Sequence, residues 1–369
     1  MEPKANFKNI LEAVRHDIRN NMPAGTLLPT ETELAARYNV SRPTIAKVYN
    51  TLQKEGYVLK KQGIGTTVIY QGINHKTTFG LLLPGPGESE IFATISDRFM
   101  ERSQKGDFEC IWNGATSGNA EIRRDLTEKS CEEYIEQKVD GIFFAPLERI
   151  PQGNELNNEI CRRIREAGIP LVLIDRDIVE FPDRSEFDLV SLDNLNAAYT
   201  MAEHLISAGC DHLLFCFRPD SAESVRIRQF GVSAAAQKQG FHFGSENVCC
   251  GNPEDMDFVR ELDIRPGPTG IVCANDATAA VLMSSLGARG IKIMSDALLC
   301  AFDDMKYAKH LKYTLTSYRQ PCEQITDVAI ELMLRRMKTP DAPALTINLQ
   351  GEICPRDSSR FAEIEEYPL

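Results

Sequence analysis

Residues 28–69 read LPTETELAARYNVSRPTIAKVYNTLQKEGYVLKKQGIGTTVI, and their local chemistry decides how the chain begins. Thr30 and Glu33 stand three apart, the spacing at which a hydroxyl and a carboxylate each satisfy an amide that the start of a helix leaves unpaired. A helix is therefore expected to begin there, with Leu34 and Tyr38 on its apolar side. After a turn at Asn39 and Val40, Ser41 can cap a second helix. Pro43 fits the first turn of that helix, because the amide that proline lacks would be unpaired there anyway. Ile45, Val48 and Leu52 follow at i, i+3 and i+7, a helical stripe, and Gly56 falls where a left-handed C-cap is expected. Two β-prone runs, Tyr57–Lys61 and Thr66–Tyr70, flank Gln62, Gly63, Ile64 and Gly65, so the segment closes as a basic hairpin, a wing.

Helix, turn, helix and wing in that order make a DNA-reading head. The start of the second helix enters the major groove, where an arginine reads guanine O6 and N7 while hydroxyls, lysines and amides hold phosphates. Arg42 is the expected base reader. Thr30, Ser41, Pro43, Thr44 and Lys47, with Lys60, Lys61, Gln62 and Gly63 of the wing, are the other residues expected to face DNA. Surface charge usually only solvates a helix face, but the capping box, turn, basic helix start and Gly-rich wing occur here together.

Residues 7–70 resemble the winged helix-turn-helix of GntR-type bacterial transcription factors, whose pattern is L-P-[ST]-E-x-E-L-A, then S-R-x-T, then E-G, then G-x-G-T. It is met from Leu28 to Ala35, at Ser41, Arg42 and Thr44, at Glu55 and Gly56, and at Gly63, Gly65 and Thr66. There is one departure. Many members carry an arginine two residues after the threonine, and here that position is Ala46.

The chain has 369 residues, 43% of them hydrophobic, enough to bury more than one core. Charge is divided unevenly along it. Through residue 70 there are ten Lys and Arg against six Asp and Glu, a net of +4, and beyond it 31 against 47, a net of −16. Only the head is thus suited to nucleic acid. No window approaches the roughly 20 apolar residues of a membrane span, and no signal-peptide core is present, so a cytoplasmic protein is expected. The eleven cysteines are scattered without a C-x-x-C pair and read as buried free thiols rather than metal ligands. No catalytic signature such as H-E-x-x-H or G-x-S-x-G occurs. No cofactor, metal or enzymatic activity is expected.

From about residue 78 short apolar runs alternate with helical stretches: 78–83, 141–145, 170–174, 213–217, 270–274 and 297–302. Such alternation specifies an α/β fold with parallel sheets covered by helices. Ligands of open parallel sheets bind beyond the carboxyl ends of the strands. Polar groups stand at several such ends: the loop from Gly85 to Ser89, Asp175 with Arg176, Asn275 with Asp276, and Asp303 with Asp304.

This second part resembles the effector domain of LacI/GalR repressors, which shares its fold with periplasmic sugar-binding proteins. VDGIFF (139–144), IPLVLIDR (169–176), LVSLDNLNAA (189–198), IRQFG (227–231), CANDATAA (273–280), CAFDD (300–304) and LTSYRQP (315–321) carry the similarity. A GntR-type head on such a body looks most like the arabinose repressor group. The resemblance implies a winged helix-turn-helix domain at 1–70, a linker at 71–77 and a two-lobed effector-binding and dimerisation domain at 78–369. Lobe 1 would span about 78–188 and 319–343, lobe 2 about 189–316 and 345–358. The chain would cross between them near 188–192, 316–320 and 342–346.

The resemblance further implies a homodimeric repressor of carbohydrate-utilisation genes. It would bind double-stranded operator DNA and be released by a monosaccharide, arabinose among the candidates, held between the lobes. Arg228, three before Gly231, matches a sugar-binding arginine, and Asn275 and Asp303 match further ligand positions, while Arg176, Ser89 and Phe92 come from the other lobe. Asp276 and Asp304, at strand ends before helices, are expected to be caps, as is Asp193, with Asn194 in a hinge. Trp112, the only tryptophan, is expected to pack at a rim. The alternative, a DNA-associated enzyme acting on a small carbohydrate or nucleotide, would need a nucleophile or metal motif that the sequence lacks.

Overall fold

The computed structural model describes residues 7–61, 65–70, 77–85, 90–106, 108–113, 119–150 and 152–361. They fall into two compact units, 1–76 and 77–369.

The first unit is built from α1 (Phe7–Asn21), α2 (Glu31–Tyr38), α3 (Arg42–Lys54) and the antiparallel hairpin β1 (Val58–Lys61) with β2 (Gly65–Val68). The capping box forms as its spacing predicts: Glu33 N–H donates to the Thr30 hydroxyl at 3.2 Å and Thr30 N–H to the Glu33 carboxylate at 2.8 Å. Asn39, at φ +50, turns the chain out of α2. Ser41 occupies the cap position of α3, but its hydroxyl lies 2.9 Å from that of Thr44 instead of accepting a backbone amide. Gly56, at φ +78, ends the helix in the left-handed region open to glycine. Ile45, Val48, Tyr49 and Leu52 of α3 are fully buried against Ile10, Val14 and Ile18 of α1. The Tyr49 hydroxyl donates to Pro29 O at 2.6 Å and so ties α3 to the start of α2.

The second unit runs as β3 (Thr77–Leu82), α4 (Glu90–Lys105), β4 (Phe108–Trp112), α5 (Ala120–Gln137), β5 (Gly141–Phe144), α6 (Gly153–Glu166), β6 (Leu171–Ile174) and β7 (Asp188–Leu192). It continues through α7 (Asn194–Ser207), β8 (His212–Phe217), α8 (Glu223–Lys238), β9 (Val248–Cys250), α9 (Met256–Glu261), β10 (Thr269–Cys273), α10 (Asp276–Arg289), β11 (Ala297–Phe302) and β12 (Thr316–Arg319). Then follow α11 (Cys322–Lys338), β13 (Thr346–Leu349) and β14 (Glu352–Cys354).

The strands form two sheets, each the centre of one lobe. The first has the order β13-β7-β6-β5-β3-β4 and is parallel throughout; the second is β14-β12-β11-β10-β8-β9, parallel except for β14. Strands such as β5, β6, β10 and β11 are buried along their whole length, as expected where helices cover both faces. Separate apolar clusters fill the two faces of each sheet.

Two lobe boundaries differ from the sequence expectation. Residues 188–192 are β7 of the first sheet, so the chain crosses only after Leu192. The run 346–349, expected in lobe 2, is β13 of the first sheet, paired with β7 from Thr346–Leu189 to Leu349–Leu192. The third crossing is therefore at Gln350 and Gly351, not at 342–346. The second lies between β12 and α11, at Gln320 and Pro321. A short edge strand without a strong apolar run left little signal from which β13 could be assigned.

Candidate functional site

Two surfaces carry the expected chemistry, one on each unit. On the first, Thr30 caps α2, while Ser41, Arg42, Pro43 and Thr44 form the start of α3. The Arg42 side chain is 71% exposed and reaches Glu31 at 3.2 Å. Glu31 also holds the Lys60 ammonium at 3.0 Å, and chiefly that bond, then the one from Arg42, keeps its carboxyl below the usual range despite partial burial. Lys60 further donates to Asn50 at 2.8 Å, so it is engaged within the head, whereas Lys61 is exposed. The Lys47 ammonium sits 5.0 Å from the Phe7 ring. Gln62 and Gly63 lie outside the described residues. Nothing in the sequence pattern pointed to Glu31 as the common partner of Arg42 and Lys60.

On the second unit, Phe92, Arg176, Arg228, Asn275 and Asp303 all line one cavity of about 140 Å³ between the lobes. A single water needs about 10–15 Å³ by the same measure, so the space suits a small molecule. Ser89 lies outside the described residues. The cavity sits beyond the carboxyl ends of the parallel strands, where the chain leaves β5, β6, β10 and β11.

Local structure explains how each group is aimed. At Gly231 a Cβ would stand 2.3 Å from Leu195 O, so only glycine lets α8 approach α7 this closely. One turn earlier, Arg228 is thereby brought to the first residue of α7: its Nε donates to Asn194 Oδ1 at 2.8 Å and a terminal nitrogen to Ala274 O at 2.5 Å. Its guanidinium lies 4.3 Å from the centre of the Phe302 ring. Asn194 is buried and donates in turn to Ser191 Oγ and Leu192 O, at the first crossing. Burial lowers the Arg228 pKa, with Asp303 acting in the opposite sense.

Asp303 has φ +112, an unusual conformation for a residue with a side chain, and accepts from Gln320 Nε2 at 2.8 Å. Burial pushes its carboxyl up to about 7, against the pull of Arg228 and Gln320. Arg176 is 7% exposed, bonded through Nε to Asp175 at 2.8 Å, 2.9 Å from Glu148, and 5.8 Å from the Phe92 ring centre. Burial alone would raise Glu148, but Arg176 and Arg149 hold it below the ordinary range. The lobes meet around the cavity: Arg149 N–H donates to Asp220 O at 2.8 Å and Phe181 N–H to Glu223 at 3.0 Å.

Some expected roles change. Asn275 is itself the cap of α10, accepting from Thr278 N–H at 2.9 Å, while it lines the cavity. Asp276, the expected cap, instead accepts from the Ser317 hydroxyl at 2.6 Å and Met305 N–H at 2.8 Å, and burial raises its pKa well above the usual value. Asp304 is no cap either; its carboxylate pairs with Arg319 and Arg356. Asp193 does cap α7, through Asn196 N–H. Trp112 ends β4 and donates to Leu83 O at 3.4 Å. Cys250 is exposed rather than buried. Glu148, Arg123, Arg149 and Gln320 also line the cavity and escaped sequence reasoning, although Gln320 stands within LTSYRQP.

The two units are thus a winged helix-turn-helix and a two-lobed α/β body with a cleft of small-molecule size between its lobes. Residues 6–68 match the model of bacterial regulatory proteins of the gntR family, and 202–359 match that of the periplasmic binding protein-like domain. The chain thus joins a GntR-type head to a periplasmic-binding-protein-like body. It is 25% identical over 338 residues to an arabinose metabolism transcriptional repressor of Geobacillus stearothermophilus, covering 87% of this chain and 88% of that one. Among solved structures, the transcription regulator CcpA of Lactococcus lactis aligns with a TM-score of 0.64 at 23% identity, over 77% of this chain and 99% of that one. A LacI family regulator from Enterococcus faecium with bound ribose aligns with a TM-score of 0.60 at 20% identity, over 78% and 100%.

Proposed function

We propose that the protein is a transcriptional repressor of carbohydrate-utilisation genes in the cytoplasm. As a homodimer it binds a palindromic operator through its heads and leaves it when a monosaccharide fills the cleft of the body. One observation carries this: Phe92, Arg176, Arg228, Asn275 and Asp303, from separate segments of the chain, line a single cavity at the strand ends, in a chain that also presents an arginine at the start of a helix-turn-helix. Sugar hydroxyls both donate and accept, so Asp, Asn, Gln and Arg around one cavity can satisfy them together. The relative named for arabinose metabolism makes L-arabinose the first sugar to try.

Fluorescence anisotropy with DNA from upstream of its own gene tests the proposal. Tight, sequence-dependent binding that a sugar reverses is the expected result. Binding that ignores sequence, or that no aldopentose or aldohexose alters, would contradict it.

A further inference from the structure

We infer that the loop from Asp177 to Phe187, between β6 and β7, is a strap that sets effector affinity from outside the cleft, with Glu180 and Phe181 as positioning residues. They act on Arg228 through α8, and the inference rests on the proposal that the effector binds between the lobes. The strap belongs to the first lobe and is anchored there. The Asp177 carboxylate accepts from Ile178 N–H at 2.7 Å and Ser185 N–H at 3.2 Å, and Asn158 of α6 donates to Ile178 O at 3.3 Å. Its tip turns back where Asp183 N–H donates to Glu180 O at 3.0 Å.

The tip reaches the second lobe. Glu223, Arg226 and Phe230 fall at i, i+3 and i+7 along α8, one stripe of the helix, and the strap meets all three. Phe181 N–H donates to Glu223 at 3.0 Å, Arg226 donates to Glu180 at 3.0 Å, and the rings of Phe181 and Phe230 lie 5.7 Å apart between centres. None of these five residues lines the cleft, whereas Arg228, two positions beyond Arg226 on the same helix, does. The strap thus holds the helix that carries Arg228 against the first lobe. An effector that needs both walls binds the arrangement in which these contacts are made, and its apparent dissociation constant rises as the fraction of chains in that arrangement falls. An exposed ion pair alone contributes little, but the aromatic contact and the amide bond act on the same helix and work with it.

Calorimetry on the full chain with L-arabinose, D-ribose and D-galactose, joined to amide hydrogen exchange on the sugar-free chain, tests this. Phe181→Ala and Glu180→Arg should each weaken every sugar that binds by about three- to ten-fold, and by the same factor for each sugar, since neither side chain touches the ligand. Adding Arg226→Glu to Glu180→Arg should recover most of the loss by restoring the pair in reverse, which a general loss of folding would not allow. In the exchange experiment, amides of 178–187 should lose protection in Phe230→Ala, although the change is in the other lobe. Full sugar affinity in both single variants, or a changed ranking of the sugars, overturns the strap and leaves the repressor reading standing. If no sugar binds, the repressor reading falls and exchange alone decides the strap: unchanged protection of 178–187 in Phe230→Ala overturns it.

Discussion

In the head, the groups proposed to touch DNA come from one stretch of chain, and Thr30, Ser41, Arg42, Pro43, Lys47 and Lys61 among them are exposed, the Arg42 side chain to 71%. In the body, the groups proposed to touch the effector come from the ends of strands and the starts of helices in two lobes, and Arg176 is 7% exposed. The contrast is one of dependence. An exposed arginine on a helix start contributes its own contact and little else. Arg228 is aimed by Asn194, which is held by β7, and is admitted by the close approach at Gly231. A change in the body should therefore reach further than a change in the head.

The largest expected effect is at Asp303. Asp303→Asn keeps the volume but removes a charged acceptor, so effector affinity should fall about ten-fold or more while operator affinity stays as in the wild type. Operator binding that weakens equally would mean that Asp303 serves the fold alone. The same variant tests its titration. Because burial pushes Asp303 up to about 7 in the folded chain, from about 3.9 when unfolded, the folded state holds its proton more tightly. The stability this gives is complete below about pH 4 and is lost as pH rises through about 7. Denaturation of Asp303→Asn should thus lose less stability between pH 5 and 8, because the part of that window below about 7 is where the wild type releases this stabilisation. Asp276, raised in the same direction, keeps part of the slope in both proteins.

In the head the effects should be smaller and separable. Arg42→Ala should cost about 1–3 kcal/mol at one base position and relax discrimination there. Lys61→Ala should weaken binding evenly over all sequences and lower the salt slope. Lys60→Ala should change the slope less than Lys61→Ala, because Lys60 is already paired with Glu31 and Asn50. Titrations of specific and random DNA over a range of salt measure all three. Equal losses on both DNAs for Arg42→Ala would remove its role as base reader.

The same contrast governs what was legible from sequence. Capping, turn and apolar stripe are local, so α2 and α3 could be bounded from Thr30, Glu33, Ser41, Pro43 and the stripe from Ile45 to Leu52. The pairing of Glu31 with Lys60 needs the wing to fold back on α2, and no spacing rule reports that. In the body, periodicity located the buried strands, but β13, an edge strand with alternating exposure, was assigned to the wrong lobe. Arg228, Asn275 and Asp303 were found by resemblance to a family. Glu148 and Arg149 were missed because they lie just beyond β5 in a run with no motif, and only the pairing of β5 with β6 brings them beside Arg176. The roles of Asp276 and Asp304 were misjudged for a related reason. A carboxylate at the end of a strand can cap the helix that follows or reach across to another strand, and tertiary packing decides which.

The central claim is that cleft and operator site are coupled, and one calorimetric titration tests it most directly: an effector sugar into the free protein, then into protein saturated with operator DNA. Linkage requires that if the effector weakens operator binding by some factor, operator must weaken effector binding by the same factor. The predicted result is a raised effector dissociation constant on DNA, by the factor found independently from operator binding with and without effector. Identical constants in the two states would contradict it, and the cleft would then be a binding site with no hold over DNA.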